Sequence, residues 1–297
     1  MEKIDESRRT FIKTVGLGAA AFSFSGFELL QKKLAGAGNN YVANIGIQLY
    51  SIRKNIVNDF EATMKKIADT GYVGIETYPL PENITLERAA KVFKDAGLKV
   101  FSMHSELPVD KNRELALRMA DAYKCDRIIF PGSPQSDRYK DKDSINRMVD
   151  VYNEIGSFMK TKGLKFGLHN HWTEFEMTYG YQPFYYLLEH LDKEIFFEID
   201  TYWTQVGGED PAKAVKTFGK RAPLLHIKDG PTNKGVKTNE QLPAGKGAMD
   251  IPAIVKAGGK NIRWMIVEFD DYSGDIFEGI KSSYEYLTKK KLAKGKA

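Results

Sequence analysis

Histidine and carboxylate side chains recur in this sequence directly after short apolar runs. Four of the five histidines lie at such positions, together with several acids. The polar residues concerned are Gln48, Glu76, His104, Glu106, His169, His171, Asp200, His226, Lys228, Glu268 and Asp270. Imidazole and carboxylate groups bind divalent metals and transfer protons. One such residue alone is more commonly structural, but their shared placement favours a site for metal-assisted acid–base chemistry.

The apolar runs alternate with amphipathic segments in a regular way. The first candidate strand, residues 45–49, is followed by a helical pattern over 60–69, and the eighth, 264–268, by one over 275–289. Eight such units in about 250 residues predict a (β/α)₈ TIM barrel, formed as a single domain by residues 41–290. The alternative is an open doubly wound sheet, which is disfavoured because no phosphate-binding loop follows the first strand. In a barrel, the polar residues converge on the rim formed by the carboxyl ends of the strands.

The strongest subset of these residues ends strands six, seven and eight. Asp200, His226 and Glu268 offer two carboxylates and an imidazole, a donor set suited to one divalent ion such as Mn, Co, Mg or Zn. Three or four protein ligands would leave coordination positions open for substrate oxygens. A buried hydrogen-bond network without metal is the alternative reading of the same three residues.

The first 37 residues have the pattern of a targeting segment. Residues 7–13, SRRTFIK, precede a mildly apolar stretch over 15–27, which resembles a twin-arginine export signal. The apolar stretch is too short for a stable membrane span. We therefore expect export, to the periplasm by the twin-arginine route; an ordinary amphipathic helix is the alternative.

The formal net charge of +5 does not indicate a nucleic-acid partner. The basic tail, residues 291–297 with the two lysines before it, contributes +5 and the leader +2, so the body between them has a net charge of −2. A nucleic-acid-binding protein concentrates positive charge on its folded surface, whereas here the charge lies on a removable leader and a tail expected to fray. The single cysteine, Cys125, excludes an internal disulfide framework and a multi-cysteine metal site.

Six segments of the chain resemble a known family, the xylose-isomerase-like TIM barrels described as sugar phosphate isomerases/epimerases. They are residues 45–51 (IGIQLYS), 71–76 (GYVGIE), 169–175 (HNHWTEF), 198–203 (EIDTYW), 226–229 (HIKD) and 267–268 (VE). The resemblance extends over about residues 45–287. The combination is specific for the superfamily and weak for the reaction, because many activities share this fold.

The resemblance implies one divalent metal held by residues from strands five to eight. Three ligands carry over to Asp200, His226 and Glu268. The fourth is a glutamate in the epimerases, whereas strand five here ends in histidines. Either His169 replaces it or Glu174 reaches back from the loop, and we favour His169. The histidines in this strand look more like the inosose dehydratase branch and its keto-sugar lyase relatives.

The resemblance also implies a reaction: removal of a proton next to the carbonyl of a sugar or keto-sugar, through an enediolate, which ends in isomerisation, epimerisation or elimination. It assigns acid–base roles to His171, Glu174 and His104, and substrate contacts to Lys228, Trp203, Glu76 and Gln48. For Lys228 an ion pair with Asp229 is an equal alternative, and for Trp203 plain packing. A metal-dependent hydrolase of a glycoside-like substrate and a non-catalytic exported sugar-binding barrel remain alternative functions. The expected partner is a small carbohydrate, and a homo-oligomer is possible.

Overall fold

The computed structural model describes residues 41–132, 137–231 and 241–296. The predicted export signal, residues 1–37, lies outside the described residues. Within the described part of the chain, every helix is too short or too polar to cross a bilayer.

Eight parallel strands close into a barrel. Each strand pairs with the next along the chain, and the eighth pairs with the first, where Asn44 lies opposite Trp264. The strands are β1 (Ala43–Gln48), β2 (Gly74–Thr77), β3 (Lys99–His104), β4 (Arg127–Phe130), β5 (Lys165–His169), β6 (Phe196–Asp200), β7 (Leu224–Ile227) and β8 (Trp264–Val267). The closing pair confirms the predicted TIM barrel and excludes an open sheet.

Helices follow the strands and surround the barrel. They are α1 (Arg53–Asn58), α2 (Phe60–Thr70), α3 (Leu86–Asp95), α4 (Asp110–Tyr123), α5 (Lys142–Thr161), α6 (Pro183–His190), α7 (Thr201–Val206), α8 (Pro211–Phe218), α9 (Ile251–Gly258) and α10 (Ile276–Lys289). Many begin at a residue whose side chain accepts a hydrogen bond from the first turn, as N-cap residues do; these are Asp59, Thr85, Asp141, Asp210, Asp250 and Asp275. The short helices α1 and α7 were not predicted, because six residues are too few to show an amphipathic period.

An apolar layer fills the barrel near the amino ends of its strands. The rings of Phe101 and Trp264 stack there with centroids 3.9 Å apart. A Cβ atom on Gly74 would lie 2.7 Å from the Trp264 ring, so only glycine fits at this position of β2. Since this layer is closed by packing, the polar side chains are confined to the carboxyl ends of the strands.

Residues 291–296 of the basic tail pack against the barrel, contrary to the fraying that we expected. Ala293 and Lys294 form a ninth strand, β9 (Ala293–Lys294), which pairs in parallel with Ala43 and Asn44 of β1. The register explains why: β2 pairs with β1 only from Gly46 onward, which leaves the first residues of β1 with a free edge. The tail fills this edge.

Candidate functional site

The polar rim surrounds a cavity of about 260 Å³ at the carboxyl ends of the strands. The rings of Tyr50 and Tyr78 meet edge to face on one side, with centroids 5.7 Å apart. The polar residues that line the cavity include His104, His169, His171, Glu268 and Asp270. The cavity therefore combines an aromatic wall with acid–base groups, as small-molecule sites commonly do.

Beneath the cavity, a network of carboxylates and histidines fills the barrel. Glu198 Oε2 lies 2.7 Å from His104 Nε2, 3.1 Å from His169 Nδ1 and 3.1 Å from His226 Nε2. Glu76 Oε1 lies 2.7 Å from His226 Nε2 and accepts a hydrogen bond of 2.8 Å from Gln48 Nε2. These carboxylates fix the orientation of three imidazoles.

The network also sets the charges of the imidazoles. Burial alone would lower the pKa of His104, but Glu76 and Glu198 raise that pKa to about 10. The pKa of His226 is likewise raised, because Glu198 and Glu268 outweigh its burial. His169 differs: burial dominates and lowers its pKa. Without a bound metal, His104 and His226 are therefore protonated and His169 is neutral; His226 would have to release a proton from one ring nitrogen to bind a metal.

A second cluster lies above His226, around the ammonium group of Lys228. Lys228 Nζ is 2.8 Å from Asp200 Oδ2, 2.7 Å from Glu268 Oε2 and 2.5 Å from Asp270 Oδ2. His226 Nδ1 is 2.6 Å from Glu268 Oε2. Asp200 ends β6 and caps α7, since its Oδ1 accepts a hydrogen bond of 2.9 Å from the backbone N–H of Trp203. Its other oxygen, Oδ2, faces the cluster.

The chemistry of this cluster fits a divalent ion. One donor atom each from Asp200, His226 and Glu268 lies within 4.8 Å of the others. Within the two clusters, five carboxyl groups face three basic groups whose pKa is raised; the acids are Glu76, Glu198, Asp200, Glu268 and Asp270, and the bases His104, His226 and Lys228. This excess of acid leaves room for two positive charges. Burial raises the pKa of Asp200 to about 6, although the charges of Lys228 and His226 oppose the rise.

The structure brings three of the four predicted metal ligands together. His169 falls in a different group of donor atoms, with His104, Glu198 and His226. Glu174, the alternative fourth ligand, is buried in its own loop, where its Oε2 accepts hydrogen bonds from His171 N (2.9 Å) and Thr173 Oγ (3.0 Å). Burial raises the pKa of Glu174.

The four residues expected to touch substrate are buried behind the cavity wall. Gln48 and Glu76 lie fully buried beneath the histidines. Lys228 and Trp203 are each 2% exposed, and Trp203 Nε1 donates to Asp270 Oδ2 at 3.1 Å. Because Gln48 donates to Glu76 and both Trp203 and Lys228 donate to Asp270, these residues support and orient groups around the cavity.

The sequence pattern did not indicate Glu198, Ser102 or Gln241 as site residues, and it assigned no role to Asp270. A signal existed for Glu198, which lies two residues before Asp200 on β6, because side chains two apart share a face of a strand. Ser102 Oγ donates to Glu76 Oε2 at 2.5 Å, and Gln241 Nε2 to Asp270 Oδ2 at 2.8 Å. Gln241 comes from the loop after β7, where no periodic pattern could have indicated it.

Comparison with known proteins places this barrel in a family. A sugar phosphate isomerase/epimerase from Parabacteroides distasonis has a similar fold, with 25% identity and a TM-score of 0.72 over 85% of this chain and 100% of that one. An L-ribulose 3-epimerase has 17% identity and a TM-score of 0.65 over 84% of this chain and 95% of that one. The IOLI protein with a bound zinc atom has 15% identity and a TM-score of 0.66 over 84% of this chain and 98% of that one. No curated protein matches the chain significantly by sequence. The family described as xylose isomerase-like TIM barrel matches residues 64–290, so the chain belongs to that family.

Proposed function

We propose that this protein is a divalent-metal-dependent enzyme that removes a proton next to the carbonyl of a sugar or keto-sugar. The observation that carries the proposal is the cluster of Asp200, His226 and Glu268 directly beside a cavity lined by His171 and His104. A bound metal would supply positive charge to the oxygens of the substrate, where negative charge develops as the proton leaves. The names of the similar structures, sugar phosphate isomerase/epimerase and L-ribulose 3-epimerase, support an isomerase or epimerase.

His171 is the proposed base. It lines the cavity, and its Nδ1 is buried without a hydrogen-bond partner among the described residues. Burial, and then the charge of Lys228, lower the pKa of His171 to about 4, so the imidazole is neutral, as a general base must be. His104, 7% exposed on the cavity wall, is the proposed proton donor, because Glu76 and Glu198 keep it protonated.

Elimination is the second outcome that we propose for the same site. Strand β5 ends in His169 and is followed by His171, a pattern that resembles the inosose dehydratase branch. If a hydroxyl or glycosyl oxygen lies beta to the carbonyl, proton removal leads to its expulsion instead of isomerisation. The substrate decides between the two outcomes, so both must be assayed.

The first experiment is elemental analysis of the protein purified without chelator. We expect about one equivalent of Mn, Co, Zn or Mg, lost in an Asp200→Ala/Glu268→Ala variant. Keto-sugars and keto-glycosides are then screened by NMR for exchange of carbon-bound hydrogen with solvent and for elimination products. His171→Ala should abolish exchange and retain metal, whereas the matched control His190→Ala, a surface histidine of α6, should change neither. A wild-type protein that neither contains nor takes up metal contradicts the proposal.

We further propose that the chain is exported by the twin-arginine route, which favours neutral sugars over phosphorylated intermediates as substrates. The proposal rests on residues 7–13. Expression of an Arg8→Lys/Arg9→Lys variant should leave the full-length chain in the cytoplasm. A Lys3→Gln control, outside the motif, should be exported normally. Equal periplasmic amounts of all forms would contradict export by this route.

A further inference from the structure

Lys228 is buried in the place where a metal held by Asp200 and Glu268 would lie. Its ammonium group is 2.8 Å from Asp200 Oδ2 and 2.7 Å from Glu268 Oε2. Among the described residues, Asp200 Oδ2 accepts no hydrogen bond of good geometry, although this cation is so close. Lysine is almost never buried this deeply unless it is paired. The ammonium group therefore lies between the two carboxylates as their counter-charge, while Asp200 Oδ2 is left without a well-oriented hydrogen bond.

The third partner of Lys228 lies outside the proposed ligand set. Lys228 Nζ is 2.5 Å from Asp270 Oδ2, and Asp270 lines the cavity. Asp270 is anchored by other groups: Gln241 Nε2 and Trp203 Nε1 donate to Oδ2 at 2.8 and 3.1 Å. Its carbonyl oxygen accepts from Arg53 Nη2 at 2.8 Å. Asp270 would thus stay in place if the ammonium group left Asp200 and Glu268.

The backbone beside Lys228 is fixed, so any movement is confined to its side chain. The neighbouring Asp229 is fully buried, and its two carboxylate oxygens accept hydrogen bonds of 2.8, 3.0 and 2.8 Å from the backbone N–H groups of Gly230, Met249 and Gly245. The four-carbon stem of lysine nevertheless gives its ammonium group several rotamers. Rotation about the stem is enough to exchange one set of carboxylates for another.

We propose that Lys228 is a tethered counter-cation that competes with the metal for Asp200 and Glu268. An ammonium group and a divalent ion cannot share the same two carboxylate oxygens, because like charges repel strongly where water is excluded. When the metal enters, the ammonium group keeps only Asp270 and faces the cavity wall, where it can contact an oxygen of the substrate. Lys228 thus sets the metal affinity and couples metal occupancy to a positive charge at the cavity. This inference rests on the metal site proposed above.

The test is the dissociation constant for Mn²⁺, measured by calorimetry on the full chain. Lys228→Met should tighten Mn²⁺ binding by about 10- to 100-fold, because the competing charge is removed. Asp270→Asn should weaken binding by about 3- to 10-fold, because the displaced ammonium group loses its second partner. In the double variant, Asp270→Asn should have no further effect, since its influence acts through Lys228. Lys220→Met, at an exposed lysine, is the control and should bind as the wild type does.

Equal or weaker Mn²⁺ binding by Lys228→Met would overturn the inference, as would an undiminished effect of Asp270→Asn in the double variant. If Lys228→Met does not fold, the wild type provides the test: during titration with Zn²⁺, the ¹⁵Nζ resonance of the buried lysine should shift and saturate at one equivalent. No shift would again overturn the inference. Failure of all forms to bind metal would contradict the proposed function itself, whereas metal binding that is indifferent to Lys228 contradicts only the competition.

Discussion

Three histidine nitrogens converge on one oxygen of Glu198, which makes this carboxylate the common support of the site. Its Oε2 lies 2.7 to 3.1 Å from the ring nitrogens of His104, His169 and His226. Partners that hold a metal-binding histidine fix its tautomer and ring orientation. Glu198 is fully buried, so it acts on the site through these rings and does not contact substrate.

Glu198→Gln tests this supporting role. The amide keeps the shape of the side chain but replaces one acceptor oxygen by an N–H donor, which opposes the imidazole N–H groups. We expect Mn²⁺ affinity to fall by about 10- to 100-fold. Calorimetry measures the change, with Glu194→Gln, an exposed glutamate paired with Lys160, as the matched control. An affinity within about twofold of the wild type would show that Glu198 does not support the metal site.

At the scale of single residues, the sequence predicts which residues gather at the rim of the barrel but not how they are arranged there. The ends of strands placed Asp200, His226 and Glu268 at one rim, and the structure brings them together. The alternation of strands and helices does not indicate how deeply each side chain is buried in the barrel. Gln48 and Glu76 also lie at the carboxyl ends of their strands, but they are fully buried, since His104 and His226 contact Glu76 and Glu76 accepts from Gln48.

At the scale of elements, the loop after β7 is held against the rim of the barrel by a single buried carboxylate, that of Asp229. Asp229 lies just beyond β7, and its carboxylate accepts hydrogen bonds from three backbone N–H groups on both sides of the loop. Gly247 packs against this carboxylate so closely that a Cβ atom would collide with it. Asp229 therefore fastens the described ends of the loop to the barrel next to Lys228. The alternative of a Lys228–Asp229 ion pair is wrong, because Lys228 pairs with Asp200, Glu268 and Asp270 instead.

Asp229→Ala should destabilise the protein strongly. The substitution leaves three backbone N–H groups without their acceptor, and each unsatisfied group costs about 1–3 kcal/mol. We expect the free energy of unfolding in urea to fall by at least about 3 kcal/mol. The control Asp121→Ala removes an exposed carboxylate paired with Lys124 and should change it by less than about 0.5 kcal/mol. A loss below about 1 kcal/mol for Asp229→Ala would mean that water replaces the carboxylate.

The whole barrel is the level at which the sequence is most informative. Eight repeats of strand and helix in about 250 residues predict the closed barrel, and the pairing of the eighth strand with the first confirms it. The tail could not be predicted in the same way. Residues 291–296 are rich in lysine, and their pairing with β1 follows from a difference in length between β1 and β2 that appears only when the barrel closes.

Removal of the tail tests whether it completes the barrel. A chain that ends at Lys290 loses β9, the buried Ala293 and the hydrogen bond of 2.8 Å from Lys296 N to Gly71 O. We expect the free energy of unfolding in urea to fall by about 1–3 kcal/mol, since each backbone hydrogen bond contributes about 1 kcal/mol. Mn²⁺ affinity should not change, because β9 pairs with the start of β1 and the metal site lies at the carboxyl ends of the strands.

A charge-only variant separates pairing from electrostatics in this experiment. Lys294→Gln/Lys296→Gln removes two exposed charges and retains the backbone of β9, so its stability should stay within about 0.5 kcal/mol of the wild type. If the truncated chain unfolds at the wild-type urea concentration, the tail is dispensable and β1 tolerates a free edge. If the charge variant loses as much stability as the truncation, the lysines stabilise the barrel by their charge and the pairing with β1 contributes little.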